Sequence, residues 1–170
     1  EREVDTLILG TGFRVTEYLS SIRVEGRGGV ELNEAWRASL RNYLGITVSG
    51  FPNLFLLMGP NTGLGHNSMI FMIEAQARYA TQAIAAMREQ RLASIDVRPD
   101  VESAFRTELA KRMKGTVWMT GCTSWYQTEN GEVFLWPAAT LDYWWRTRTV
   151  ALSDYDTRSL AAARRQLDAA

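Results

Sequence analysis

The sequence predicts an α/β fold from two short apolar runs and one long amphipathic helix. Residues 4–9 and 54–58 are mostly apolar, and turn-forming residues follow each run, as is typical of buried strands. A helix is predicted from Ser68 to about Gln90, because apolar residues recur there at steps of three and four. The residues expected on its inward face are Met69, Ile73, Ala77, Ala80, Ile84 and Met87.

The same helix carries recognisable end and surface signals. Asn67 or Ser68 is suited to cap its N-terminus, because a short polar side chain accepts hydrogen bonds from the first free N–H groups. Glu74 and Arg78 are four residues apart, which predicts an ion pair on the polar side.

Shorter elements are predicted around this helix. Residues 94–97 form a candidate strand, and residues 30–32 and 46–48 are two weaker candidates. Pro99 opens a second helix that ends at Gly115, with basic residues in its last turn. Its expected inward residues are Val101, Ala104, Phe105, Leu109 and Met113.

The C-terminal part is rich in tryptophan. Five of the six tryptophans lie between Trp118 and Trp145, where they form either a core or the wall of a pocket. Residues 125–127 and 133–136 flank an Asn-Gly turn, which predicts a hairpin. Short helices are expected at residues 139–147 and 159–168.

Composition narrows the possible partners. The 170 residues fit one domain or a large piece of one, and the 19 basic and 19 acidic side chains cancel, so nucleic acid is not an expected partner. Cys122 is the only cysteine, which excludes an internal disulfide and suits a reducing, cytoplasmic compartment. No apolar run approaches the roughly 18 residues of a membrane span.

The strongest candidate for ligand binding is the loop at residues 59–68. It contains Gly63 and Gly65, which permit close backbone approach, and it leads into the free N–H groups of the long helix. A capped loop without a ligand remains the alternative. His66, the only histidine, is either a site residue or a loop residue, and without a second histidine or a nearby cysteine no metal site is expected.

Two other motifs are weaker. Gly10-Thr11-Gly12 follows an apolar run but lacks the third glycine of a dinucleotide-binding turn, because Val15 stands in its place. Cys122 is either a nucleophile or, as most lone cysteines are, a small buried apolar residue.

Four ordered segments resemble class B flavin-dependent monooxygenases, the Baeyer–Villiger and flavin-containing group. Residues 5–13 read DTLILGTGF, residues 50–55 read GFPNLF, and residues 59–62 read GPNT. The run GHNS at residues 65–68 is followed by IEAQ at 73–76, and SWY at 124–126 by LWP at 135–137. The resemblance extends from residue 4 to about residue 147. Gly10 is a mild departure, since the family usually has alanine there.

The resemblance implies the C-terminal portion of an FAD/NAD(P)-binding flavoprotein fold, with two dinucleotide-binding domains, that ends in a Trp-rich hairpin tail. Residues 1–115 would complete the FAD-binding domain, and residues 116–170 would form an extension packed on it. FAD and NADPH are the implied cofactors, although most of the NADPH site would lie upstream. The FAD pyrophosphate turn and the family fingerprint are also absent from this chain.

The resemblance also implies which residues lie near the flavin, with no catalytic residue assigned. The helix start beside the pyrimidine end of the ring would stabilise negative charge through its dipole. The implied cofactor-binding residues are Thr11, Gly12, Phe13, Asn61, Gly65, His66, Asn67, Ser68 and Met69.

The implied reaction transfers one oxygen of O₂ to a small organic substrate, either a ketone or a nitrogen or sulfur heteroatom. Two alternatives remain. The first is a non-catalytic interaction module, and the second is a flavin reductase or a disulfide reductase. The lone Cys122 disfavours the disulfide reductase, because that activity needs a pair of cysteines. Unpaired strands at residues 4–9 and 54–58 would promote a homo-oligomer or other association.

Overall fold

Helices dominate the part of the chain that the computed structural model describes, which is residues 2–10, 18–19, 21–120, 126–128 and 131–167. Short 3₁₀ turns lie at Arg27–Gly29, Val117–Met119 and Leu152–Asp154. The regular elements are α1 (Leu32–Trp36), α2 (Met69–Glu89), β1 (Leu92–Val97), α3 (Pro99–Met113), α4 (Thr140–Thr147), β2 (Tyr155–Ser159) and α5 (Leu160–Leu167). None of the helices in these ranges is long and apolar enough to cross a membrane.

The two strands form one antiparallel pair. Ile95 lies opposite Thr157 and Val97 opposite Tyr155, with an irregularity near Leu92. The strand predicted at residues 94–97 is confirmed within β1, whereas β2 was not predicted. The reason is that β2 reads YDTRS, and only Tyr155 of its five residues is buried, so its sequence lacks an apolar signal.

The main core lies where α2 packs against β1 and α4, with α3 closing one side. Its larger buried members are Leu44, Ile46, Met72, Tyr79, Ile95, Phe105, Leu109, Trp136, Tyr143 and Tyr155. A second cluster joins α1 to the segment before α2, through Leu32, Trp36, Val48, Phe51 and Leu56. The candidate ligand loop is anchored on the main core, because Met58, just before the loop, and Leu64 within it pack against that cluster.

The bounds predicted for α2 are confirmed, but its predicted inward face is wrong. The buried residues are Met72, Ala75, Gln76, Tyr79 and Ala83, and Ile84, expected inside, is 56% exposed. The helix is rotated because two polar-tipped side chains find buried partners: Gln76 donates to the Tyr143 hydroxyl and Tyr79 shares a hydrogen bond with Tyr155.

The ion pair predicted between Glu74 and Arg78 does not form. The Arg78 guanidinium lies 5.0 Å from the centre of the Trp144 ring, and its Nε and Nη2 are buried without a hydrogen-bond partner. Packing on an aromatic face from α4 therefore replaces the surface pair, since the guanidinium stacks well on a large ring.

The two buried strands predicted with most weight are also wrong. Residues 4–9 are exposed, with Ile8 at 88% and Leu9 at 75%, and no backbone hydrogen bond joins them to another described segment. Residues 54–58 run as irregular backbone, anchored by the Leu56 N–H to the Ile46 carbonyl at 2.7 Å. An apolar run becomes a strand only when a neighbouring strand pairs with it, and among the described residues none does.

The weaker predictions are partly right. The candidate strands at residues 30–32 and 46–48 reduce to single antiparallel bridges, Glu25 with Glu31 and Tyr43 with Thr47, and Leu32 already begins α1. The predicted helices at 139–147 and 159–168 are confirmed as α4 and α5.

The helix predicted from Pro99 is confirmed as α3. It buries Phe105, Leu109 and Met113, but Ala104 is exposed. The chain turns out of the helix at Gly115, whose φ is +82°, a conformation that favours glycine.

The predicted hairpin is present as one bridge between Gln127 and Val133, closed by the Gly131 N–H to the Thr128 carbonyl. Residues 121–125 and 129–130 lie outside the described part. Trp136 is 1% exposed and belongs to the core, as one of the two alternatives predicted, whereas Trp145 is 61% exposed.

Glu102, at the start of α3, gives the fold a predictable pH dependence. The residue is 4% exposed, and burial raises the pKa of its carboxyl above the ordinary 4.5, against the lowering effect of the Ser49 N–H and Arg41. The folded state therefore holds this proton more tightly than the unfolded state. The stability from this group is full below pH 4.5 and is lost as pH rises through the raised pKa.

We expect Glu102→Gln to remove this part of the pH dependence, because the substituted amide does not ionise. Urea unfolding across the acid-to-neutral range measures the effect. Glu74→Gln, which changes an exposed carboxylate on α2, is the matched control and should retain the wild-type profile. An unchanged profile in Glu102→Gln would show that Glu102 does not contribute to it.

Candidate functional site

The loop at residues 59–68, hereafter the GPN loop, is entered through backbone in the left-handed region. Met58 has φ of +62° and Asn61 has φ of +64°, which is uncommon for residues other than glycine. Such conformations persist when surrounding contacts fix them. The loop is therefore a shaped segment, and the contacts behind it explain its course.

The turn at residues 42–45 supports the loop from beneath. The Asn42 side chain accepts the Gly45 N–H at 2.7 Å and donates to the Asn61 side-chain oxygen at 2.9 Å. The buried Thr62 hydroxyl donates to the Gly59 carbonyl at 2.7 Å. A Cβ added to Gly59 would lie 2.3 Å from the Gly45 carbonyl oxygen, so the turn and the loop are in direct backbone contact.

The predicted cofactor residue Asn61 has a structural role in this arrangement. Its side-chain oxygen accepts from Asn42, and its Nδ2 donates to the Val133 carbonyl at 3.1 Å. Its amide therefore joins the loop to both the turn below and the hairpin beside it. Any contribution of Asn61 to a ligand comes through the loop shape or its remaining hydrogen-bonding capacity.

The C-terminal hairpin supports the other side of the loop. The Trp136 N–H donates to the Gly63 carbonyl at 2.8 Å, and Gly63 forms a parallel bridge with Leu135. Further along, the Trp118 ring lies directly against Gly65. Trp118 is fixed in turn by the Tyr126 ring, whose centre is 5.0 Å away. The glycines thus serve close approach, but the close neighbours are the protein's own side chains.

Gly65→Ala is expected to destabilise the protein by about 1–3 kcal/mol, because overpacking a fixed ring forces neighbouring groups to move. The added Cβ would lie 2.6 Å from Cη2 of Trp118. Urea denaturation measures the loss, and adding Trp118→Leu should restore part of it. Gly10→Ala, which meets nothing within 4 Å, is the control. Equal stability of Gly65→Ala and the wild type would contradict this packing.

The N-terminus of α2 receives no capping hydrogen bond from the side chain of its N-cap residue. Ser68 occupies the N-cap position, but its side chain makes no capping hydrogen bond, and the first turn contains no acidic residue. Residues 65–68 are exposed, and Ile70 is 62% exposed. The free N–H groups and the positive end of the helix dipole therefore face outward, which suits a ligand edge rich in electron density.

The side chains beside this helix start are bound to their own surroundings. Asn67 donates to the Thr140 hydroxyl at 3.0 Å and accepts the Ser68 N–H at 2.7 Å. The Met69 sulfur accepts the Leu64 N–H at 3.3 Å. His66 is exposed on the outer side of the loop. These contacts hold the loop against α4 and leave its backbone as the accessible surface.

The structure brings together six of the nine predicted cofactor residues, which are Asn61, Gly65, His66, Asn67, Ser68 and Met69. Thr11, Gly12 and Phe13 lie outside the described residues, as does Cys122. Among the residues that are described, no cluster of three or more potential metal ligands occurs.

The sequence did not point to three residues that support the site, which are Asn42, Trp118 and Gln76. Gln76 carried a usable signal, because it shares a helical face with Met72, Tyr79 and Ala83. Asn42 carried none, since its link to Asn61 spans 19 residues, and Trp118 was marked only as a member of the Trp-rich part.

A cavity of about 480 Å³ lies next to the loop, between α3 and the hairpin. Its lining includes Asn61 from the loop, Val133 from the hairpin, and Arg106 and Met113 from α3. Arg106 donates to Ser39 and Glu132, so its charge is partly compensated within the wall.

Sequence comparison relates the chain to monooxygenases, although no family model matches it. A Baeyer–Villiger monooxygenase of Pseudomonas aeruginosa is 42% identical over 153 residues, which is 88% of this chain and 28% of the relative. A Baeyer–Villiger monooxygenase of Streptomyces coelicolor is 39% identical over 96% of this chain and 32% of the relative. An FAD-binding monooxygenase of Aspergillus niger is 37% identical over 96% of this chain and 28% of the relative. The chain thus spans about a third of the length of these relatives.

Solved structures agree with this relationship. Cyclohexanone monooxygenase from Rhodococcus sp. Phi1, bound to NADP⁺, aligns with a TM-score of 0.81 at 22% identity, over 93% of this chain and 31% of that chain. An oxidised steroid monooxygenase bound to NADP aligns with a TM-score of 0.73 at 28% identity, over 83% of this chain and 27% of that chain. By sequence and by fold, the chain is therefore related to the C-terminal part of Baeyer–Villiger and other FAD-binding monooxygenases.

Proposed function

We propose that this chain is the C-terminal part of an FAD- and NADPH-dependent monooxygenase. The enzyme would transfer one oxygen of O₂ to a small organic substrate, either into a ketone or onto a nitrogen or sulfur atom. The proposal rests on the relatives' names and on the retained order of the four sequence segments. Bound FAD would supply the redox chemistry, and NADPH the reducing equivalents.

Within the structure, the strongest support for the proposal is the exposed N-terminus of α2 at the end of the GPN loop, which lacks a side-chain cap. The pyrimidine edge of a flavin carries oxygen and nitrogen atoms that gain negative charge on reduction. A fixed set of N–H groups and a helix dipole stabilise that charge without a charged side chain. The absence of an acid from the first turn fits this role, since a carboxylate there would oppose it.

The proposed roles of the site residues follow from their contacts. The backbone at Gly65, His66, Ser68 and Met69 would face the flavin, and the Asn67 side chain would hold that backbone on α4. Asn61 would act through the shape of the loop. Thr11, Gly12 and Phe13 remain proposed cofactor contacts on the strength of the resemblance alone.

The rest of the chain would complete the surroundings of the cofactor. We assign residues 1–115 to the FAD-binding domain and residues 116–170 to an extension on it, which the packing of α4 on α2 supports. The Trp-rich part would border the substrate side and exclude water from it. A cytoplasmic location is part of the proposal because it suits a chain with one cysteine.

Expression of the full-length protein tests the proposal. A yellow, flavin-containing product whose NADPH oxidation is stimulated by a ketone or by an amine or sulfide would support it. Comparison of the two substrate classes distinguishes ketone oxidation from heteroatom oxidation. A folded full-length protein that takes up no flavin would contradict the proposal.

A second candidate is an association module, and the exposed segment at residues 4–9 favours it. Val4, Leu7, Ile8 and Leu9 are all more than half exposed, and contiguous apolar surface of this kind promotes association. We expect the isolated chain to form a homo-oligomer or larger assembly. Light scattering measures the state, and a monodisperse monomer would contradict this candidate.

A further inference from the structure

Gln76 is a fully buried amide near the middle of α2 that links three segments of the chain. Its Oε1 accepts the Met58 N–H at 2.8 Å, and its Nε2 donates to the Tyr143 hydroxyl at 3.0 Å. That hydroxyl donates to the Leu44 carbonyl at 2.6 Å. Three consecutive hydrogen bonds therefore connect the entrance of the GPN loop, the turn beneath it and α4 through one helix.

The direction of each hydrogen bond in this chain is fixed. The Met58 N–H requires an acceptor and the Leu44 carbonyl requires a donor, so the Gln76 amide has one possible orientation. Burial also raises the pKa of the Tyr143 hydroxyl, which keeps its proton available for donation. A fully satisfied buried network of this kind specifies one arrangement of the segments that it joins.

Met58, whose N–H Gln76 accepts, directly precedes the GPN loop and has strained backbone. Met58 has φ of +62°, and the next residue, Gly59, packs directly on the Gly45 carbonyl. A Cβ added to Gly59 would lie 2.3 Å from the Gly45 carbonyl oxygen, so the chain directly after Met58 has little room on that side. The position of the Met58 N–H therefore determines where the loop can begin.

We propose that Gln76, with Tyr143 as its partner, is the positioning residue of the GPN loop. It sets the distance between the N-terminus of α2 and the flavin, and in this respect the inference rests on the proposed function. The stabilisation of charge by a dipole depends steeply on distance and orientation. Loss of the Gln76 bonds should therefore change the behaviour of the flavin as well as the stability of the fold.

The molecule offers a matched control further along the same helix. Tyr79 is 1% exposed, and its hydroxyl shares a 2.8 Å hydrogen bond with that of Tyr155. Tyr79→Phe and Tyr143→Phe each remove one buried phenolic hydroxyl from the same core. Only Tyr143 is hydrogen-bonded to the network that reaches the GPN loop.

The first test uses amide hydrogen exchange in the full-length protein and needs no cofactor. In Gln76→Met and in Tyr143→Phe, amides at residues 56–62 should exchange about 10-fold faster than in the wild type, because opening of the loop becomes easier. Tyr79→Phe should leave that segment unchanged. Equal acceleration in all three variants, or none in any, would overturn the positioning role.

The second test is the midpoint potential of the bound flavin. Gln76→Met and Tyr143→Phe should shift this potential to more negative values, whereas Tyr79→Phe should leave it unchanged. This difference should persist even if all three substitutions lower the melting temperature by the same amount. Unchanged potentials in the first two would overturn the inference. If the wild-type protein binds no flavin, the proposed function fails, and the exchange experiment still decides whether Gln76 positions the loop.

Discussion

Replacing Gly45 by alanine is expected to destabilise the protein by about 2–5 kcal/mol, because it combines backbone strain with overpacking. Gly45 has φ of +65°, and an added Cβ would lie 2.1 Å from Cγ2 of Thr62 and 2.8 Å from the Pro60 carbonyl oxygen. The Pro60 carbonyl and Thr62 belong to the GPN loop, whose backbone has little freedom to retreat. The loop should therefore be displaced together with the loss of stability.

Gly28→Ala separates the two causes. Gly28 has φ of +70°, but a Cβ there would meet nothing within 4 Å, so strain alone should cost about 1–2 kcal/mol. Urea denaturation measures the free energy of unfolding of both variants. The additional loss in Gly45→Ala over Gly28→Ala is the part caused by steric overlap with the loop. Similar losses in the two variants would show that the turn and the loop are not in the contact described.

Ile70→Glu is expected to weaken FAD binding by about 10-fold while leaving the fold intact. A carboxylate in the first turn stabilises a helix by roughly 0.3–1 kcal/mol, so the protein itself should not be weakened. The same charge competes for the free N–H groups and repels the electron-rich flavin edge, at a cost of about 1–2 kcal/mol. Titration of the full-length apoprotein with FAD measures the affinity.

Two controls isolate the charge and its position. Ile70→Gln has the same shape without the charge and should retain most of the affinity. Ile84→Glu places the charge on another exposed site of α2, since Ile84 is 56% exposed, and should bind FAD as the wild type does. Equal weakening by Ile70→Gln and Ile70→Glu would attribute the effect to packing instead.

Local sequence signals predicted the elements whose stability is local. α2 was predicted within one residue at each end, because its periodicity is regular and a polar residue precedes it. Pro99 and Gly115 similarly marked the ends of α3. The face of α2 was wrong because Gln76 and Tyr79 are buried through partners on distant segments, Tyr143 and Tyr155. Hydrophobic periodicity places polar-tipped side chains outside, and tertiary hydrogen bonds reversed that preference here.

The strands failed for a related reason. Residues 4–9 have the composition of a buried strand, but strand formation depends on a partner that composition does not reveal. β2 shows the converse, since a polar sequence becomes a strand because β1 lies beside it.

The candidate site was predicted as a loop and a helix start, and both are present. The contacts that hold the loop in place were not predictable from the sequence. Asn61 connects to Asn42 and to Val133, which is 72 residues away, and Gly63 and Gly65 pack on hairpin and 3₁₀-turn residues. Glycine in such a loop suggested room for a ligand, whereas the structure fills that room with Leu135 and Trp118. The exposed backbone at the start of α2 remains as the surface for a cofactor.

In the proposed function, the N-terminus of α2 would stabilise negative charge on a bound flavin. The most direct measurement is the two-electron midpoint potential of the flavin in the full-length protein and in Ile70→Glu, with Ile70→Gln and Ile84→Glu beside them. We expect a shift of about 30 mV to more negative values in Ile70→Glu alone, which corresponds to about 1.4 kcal/mol. The same potential in all four proteins would contradict it.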